Sequence, residues 1–144
     1  MIIFNRNFNK LLIQLTQNII NGDIMDDEMY ATIVGLNNYE GSKVFKIGSI
    51  VRLVKEPGND YDLEAIVCES KYIGKTGYIA NSAKTVTKGT MSAGRIYDKI
   101  DDVSFCEVKF VSKDSVIAKV LTYEQIKELQ DANGEDDFYN LESD

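Results

Sequence analysis

Between residues 30 and 121 apolar side chains recur in short runs broken by turn-forming residues. Tyr30-Ala31-Thr32-Ile33-Val34-Gly35, Ile50-Val51-Arg52-Leu53-Val54-Lys55, Leu63 to Glu69 and Gly74 to Ile79 are of strand length and rich in Val and Ile. They predict strands near 30–35, 50–55, 63–69 and 74–79. Arg95-Ile96-Tyr97 is expected as a further short strand, and Asn81 to Lys88 as a short helix or turn capped by Asn81-Ser82. Phe105–Val111 and Ser115–Leu121 alternate apolar and polar positions around Lys113-Asp114, the pattern of a β-hairpin. On that alternation Cys106, Val108 and Phe110 share one face of the first strand, and Val116, Ala118 and Val120 one face of the second.

The period changes at both ends. Phe8, Leu11, Leu12, Ile13, Leu15, Ile19 and Ile20 form a helical apolar stripe, which Asn21-Gly22 ends. Thr122-Tyr123-Glu124-Gln125 is a capping box that opens a helix from Tyr123 to about Gln130. The acidic end beyond it, with Phe138-Tyr139, is expected to be disordered. The chain thus divides into an amphipathic helix with an acidic linker (1–28), a mainly β domain (29–121), and a C-terminal helix with an acidic tail (122–144).

Length and a hydrophobic fraction of 44% fit one domain with extensions and a genuine core. The net charge of −7 is unevenly placed: Tyr30 to Leu121 holds 13 basic and 11 acidic residues, a balance of +2, and the flanks carry the acid. A nucleic-acid partner is compatible with that balance, but a strong non-specific duplex binder is not expected. The chain has no histidine, which removes the usual base of serine or cysteine hydrolases. Cys68 and Cys106 lie in apolar runs and read as buried, reduced thiols, too few for a structural zinc site. Gly74-Lys75-Thr76 is not a phosphate loop, because Glu69 stands where the loop needs its first glycine. A non-catalytic protein without cofactor or metal is expected. Gln14, Thr16, Gln17 and Asn18 interrupt the first apolar run, so neither a signal peptide nor a membrane span is expected, and the cytoplasm is.

The stretch with the most local information is Lys55-Glu56-Pro57-Gly58-Asn59-Asp60-Tyr61-Asp62, which contains the single proline. Proline fixes φ, glycine relaxes it, and Asn and Asp bond their own backbone. A rigid turn between two strands is expected over Pro57 to Asp62, with Tyr61 and Asp62 held at its exit. A tyrosine offers a stacking face and an aspartate a hydrogen-bond acceptor, a pairing suited to a nucleotide end.

In sequence order, a strand ending in Gly35, the "G-x-x-V-x-L" strand from Gly48, the "E-P-x-N-x-Y-D-x-x-A-I" turn from Glu56 and the "G-x-x-G-Y-I" strand from Gly74 resemble the HIRAN domain over roughly residues 29–121. The resemblance implies a small OB-like β-barrel of about six strands, with the terminal helices flanking it. It also implies recognition of the 3′ end of single-stranded DNA, as in the domains attached to replication-fork remodelling helicases. On that likeness Tyr61 stacks on the terminal base, Asp62 accepts from the 3′-hydroxyl and Asn59 lines the pocket. The Arg-Tyr pair of the DNA-binding members is replaced by Asn37 and Asn38, followed by Tyr39; their histidine is Tyr78 and their phosphate lysine is Asn81. Tyr39 and Tyr78 remain as candidate stacking faces, and Lys75, with Lys84 nearby, as a candidate phosphate contact. Beside the single-strand reading stands a second one. The barrel would be a protein-interaction or homo-oligomerisation module, its partner for example a helicase or nuclease.

Overall fold

The computed structural model describes residues 28–134, together with Ile13. The amphipathic helix expected near 8–20 and the acidic end beyond Gly134 lie outside the described residues.

Six strands form: β1 (Met29–Val34), β2 (Ile50–Lys55), β3 (Ile66–Ser70), β4 (Gly74–Ile79), β5 (Val103–Val111) and β6 (Val116–Val120). All neighbouring pairs are antiparallel, and the order β1-β4-β3-β2-β5-β6 closes because β6 pairs back onto β1. Closure removes the open sheet edges that would otherwise template pairing with another chain. Alternation turns Leu53, Cys68, Cys106, Val108, Val116 and Ala118 inward, all fully buried in one core.

The β5–β6 hairpin stands where the alternation placed it, with one change of parity. A bulge between Val108 and Phe110 inserts an extra residue, so Phe110 leaves the core and Val111 packs on it. Phe110 is 59% exposed, and its expected place on the Cys106–Val108 face is corrected accordingly.

Arg95-Ile96-Tyr97 is not a strand. It belongs to a short helix, α1 (Ala93–Tyr97), capped by Ser92, whose Oγ accepts from the Arg95 N–H. Ala93 and Ile96, three apart, fall on one helical side and are fully buried. Asn81 to Lys88 forms turns rather than a helix, with Ser82 Oγ taking the Lys84 N–H at 3.2 Å. The chain then crosses β1: Thr32 Oγ1 accepts from the Thr87 N–H at 3.1 Å and lies 2.7 Å from Thr90 Oγ1. That cover explains why Ala31, Thr32 and Ile33 are buried in succession on one strand.

The capping box forms as expected, with reciprocal bonds between Thr122 and Gln125, and opens α2 (Tyr123–Asn133). Ile126 and Leu129 of α2 pack with Phe105 against Ile50 and Leu121, a small second core outside the barrel.

Candidate nucleic-acid interface

The candidate site is built on the loop joining β2 to β3. The Glu56 N–H donates to Ala65 O at 2.8 Å and closes the loop at its base. Pro57 and Gly58 occupy the centre of a turn closed by the Asn59 N–H on Glu56 O at 3.0 Å. Asn59 Oδ1 then accepts from two successive amides, Tyr61 N–H at 2.9 Å and Asp62 N–H at 3.0 Å. A second turn follows, in which Asp62 Oδ1 takes the Glu64 N–H at 2.9 Å. This pair of side-chain-closed turns delays β3 to Ile66, later than the expected start near 63.

Tyr61 leaves this frame with 97% of its surface exposed. Asp62 is half-buried and turned the other way: its Oδ2 accepts from Asn81 Nδ2 at 2.8 Å. Asn81 is itself oriented by α1, because its Oδ1 accepts the Gly94 N–H at 2.8 Å.

The other expected residues meet at Glu56. Val67 of β3 faces Val54 of β2 on one side and Tyr78 of β4 on the other, so the register carries Tyr78 across to the loop. Tyr78 donates its hydroxyl to Glu56 Oε1 at 2.7 Å, and Asn59 Nδ2 donates to the same oxygen at 3.2 Å. Lys75 Nζ lies 3.1 Å from Glu56 Oε2. Tyr39 arrives from the tight turn after β1, where Gly35 at φ +72° reverses the chain, and its ring lies 6.5 Å from that of Tyr78. Asn59, Asp62, Tyr39, Tyr78 and Lys75 thus join one continuous set of contacts, from which the Tyr61 ring projects.

The electrostatics follow. Burial acts to raise the Glu56 carboxyl, but hydrogen bonds from Tyr78, Asn59 and Lys75 outweigh it and hold the group below the ordinary carboxylate range. Burial, then the bond to Glu56, pushes the Tyr78 phenol well above its usual value. The bond to Glu56 also raises the Lys75 ammonium.

Two participants have contacts that the sequence reading did not give them. Glu56 precedes the proline of the motif, yet only strand register shows what it binds. Asn81 entered as a lost phosphate ligand and is instead the side chain that orients Asp62. Asn37 is turned to the β5–β6 turn, its Nδ2 3.5 Å from Asp114 Oδ1. Among the described residues no cluster of Cys, Asp or Glu is arranged to hold a metal ion, and no helix is long and apolar enough to cross a membrane.

The model of the HIRAN domain family matches residues 27–99, from the start of β1 through α1. The chain belongs to the HIRAN family. Two solved structures are similar to this HIRAN protein. One is a protein from Lactobacillus plantarum, 19% identical, covering 64% of this chain and 88% of its own, with a TM-score of 0.47. The other is the HIRAN domain of human HLTF, 19% identical, covering 78% of this chain and 86% of its own, with a TM-score of 0.45. No curated protein matches the chain.

Proposed function

We propose that this HIRAN domain binds single-stranded DNA without catalysis and reads its 3′ end through Tyr61 and Asp62. The family is one of nucleic-acid-binding modules, which supports the general class. The observation that carries the finer reading is the double acceptance by Asn59 Oδ1, which ties the amides of Tyr61 and Asp62 to one atom. An exposed aromatic face and an oriented carboxylate therefore leave the same fixed turn. The terminal base stacks on Tyr61. Each Asp62 oxygen accepts one bond already, and a carboxylate has about four acceptor positions, so room remains for a 3′-hydroxyl. A terminal phosphate is repelled by the same charge. Tyr39 and Tyr78 give a second apolar face, while Lys75, the candidate phosphate contact, is already paired with Glu56. With Asn37, Asn38 and Asn81 neutral, the grip on the backbone depends little on charge. Such a module would serve DNA repair or replication in the cytoplasm beside a helicase or nuclease.

The test is fluorescence anisotropy with labelled single strands bearing a free or a phosphorylated 3′ end. Tyr61→Ala is expected to weaken binding by roughly 1–3 kcal/mol, one stacked base, with melting unchanged because the ring is exposed. Asp62→Ala is expected to erase the preference for the free hydroxyl. It should also cost about 0.5–2 kcal/mol of stability, as loss of a side-chain cap does. Lost stability with an unchanged end preference would reduce Asp62 to a turn residue. Absence of single-strand binding by the wild type would leave the interaction-module reading.

A further inference from the structure

Three donors converge on the Glu56 carboxylate, two from β4 and one from its own loop: Tyr78 Oη at 2.7 Å, Lys75 Nζ at 3.1 Å and Asn59 Nδ2 at 3.2 Å. Stacking and end-reading need no carboxylate at this point, and an anion beside the ligand's phosphates opposes binding. Yet this anion links both halves of the site. Through Tyr78 it holds the aromatic pair with Tyr39, and through Asn59 it holds the side chain that fixes Tyr61 and Asp62. It also occupies Lys75, whose side chain is 50% exposed, so a phosphate must compete with a carboxylate already in place.

We propose that Glu56 has two opposed effects on single-strand binding: it positions Tyr78 and Asn59 for the ligand, and it masks Lys75 from phosphate. The inference rests on the single-strand reading above. Positioning needs only an acceptor oxygen, whereas masking needs the negative charge. The depressed Glu56 carboxyl and raised Lys75 ammonium keep that charge pair formed at neutral pH. Glutamine separates the two effects. Its amide oxygen can take the place of Oε1 toward Tyr78 and Asn59, while its NH₂ group has nothing to offer the Lys75 ammonium. Alanine removes both.

The probe is a 5′-fluorescein oligothymidylate with a free 3′-hydroxyl, titrated by anisotropy across a salt series. Glu56→Gln is expected to bind more tightly than wild type at low salt. It should steepen the slope of log affinity against log salt by about 0.7, the increment of one phosphate contact on a single strand. Lys75→Gln alone should leave the slope unchanged, and the double variant Glu56→Gln/Lys75→Gln should return it to the wild-type value. Glu56→Ala is expected to bind more weakly than Glu56→Gln at every salt concentration. A Glu56→Gln slope equal to wild type, or a slope change in Lys75→Gln alone, overturns masking even though the 3′-hydroxyl preference persists. Equal affinities for Glu56→Ala and Glu56→Gln overturn positioning. A wild type that binds no single strand removes the parent reading and this inference together.

Discussion

Tyr61 presents almost its whole surface to solvent, while its backbone amide is tied to Asn59 Oδ1 at 2.9 Å. Exposure of the ring and fixation of the chain beneath it have separate causes, and the proposed stacking role needs both: the bond would lower the ordering cost on contact, and the free face would give the contact. The two cysteines show the opposite condition. Cys68 and Cys106 are free thiols with no exposed surface. Burial raises the Cys68 thiol well above its ordinary value and pushes Cys106 up to about 12. The thiolate is the reactive form, so neither sulfur reacts while the barrel is closed. Ellman's reagent is expected to modify neither cysteine in the native protein at neutral pH, and both once denaturant opens the barrel. Rapid native labelling of either would show that the barrel opens locally.

Among the elements, β4 depends on a residue with no side chain. A Cβ at Gly77 would stand 2.8 Å from Val34 O and 2.9 Å from Ile33 Cγ2 of β1, and 3.1 Å from Leu36 Cδ2. The nearest of these is backbone, which cannot rotate away. β1 and β4 can pair closely enough to close the barrel because glycine stands here. Gly77→Ala is expected to destabilise by about 1–3 kcal/mol, as overpacking of a well-filled core does, read as a lower urea midpoint. Gly74→Ala tests a different cause in the same strand. Its surroundings are open, but its φ of +84° strains any residue with a Cβ. The site would feel Gly77→Ala as well, since Tyr78 follows directly and its hydroxyl must reach Glu56.

For the whole molecule, the distribution of charge matters more than its sum. Glu135, Asp136, Asp137, Glu142 and Asp144 follow α2 without a compensating base, and the slightly basic 30–121 region precedes them. Removing residues 135–144 is expected to leave the melting temperature nearly unchanged, because the capping box and the Ile126–Leu129 contacts of α2 are kept. On the proposed function, single-strand binding should strengthen at low salt and the gain should fade near molar salt, where screening acts within about 3 Å. Weaker binding after truncation would speak against repulsion by the tail. Much of the architecture was legible in the sequence because it rests on local physics. Alternation gave the β5–β6 hairpin, Thr122 and Gln125 gave the start of α2, and Pro57, Gly58 and Asn59 gave the turn beneath Tyr61. The motif order gave the family. What remained hidden rests on partners far apart in the chain. Tyr78 meets Glu56 across 22 positions and Asn81 meets Asp62 across 19, encounters fixed by strand register that no local pattern encodes. The bulge that expels Phe110 and the helix that takes up Arg95 to Tyr97 were likewise tertiary decisions. In both segments tertiary pairing overrode the local pattern: the β5–β6 register shifts at Val108/Phe110, and burial of Ala93 and Ile96 from one side holds the short helix.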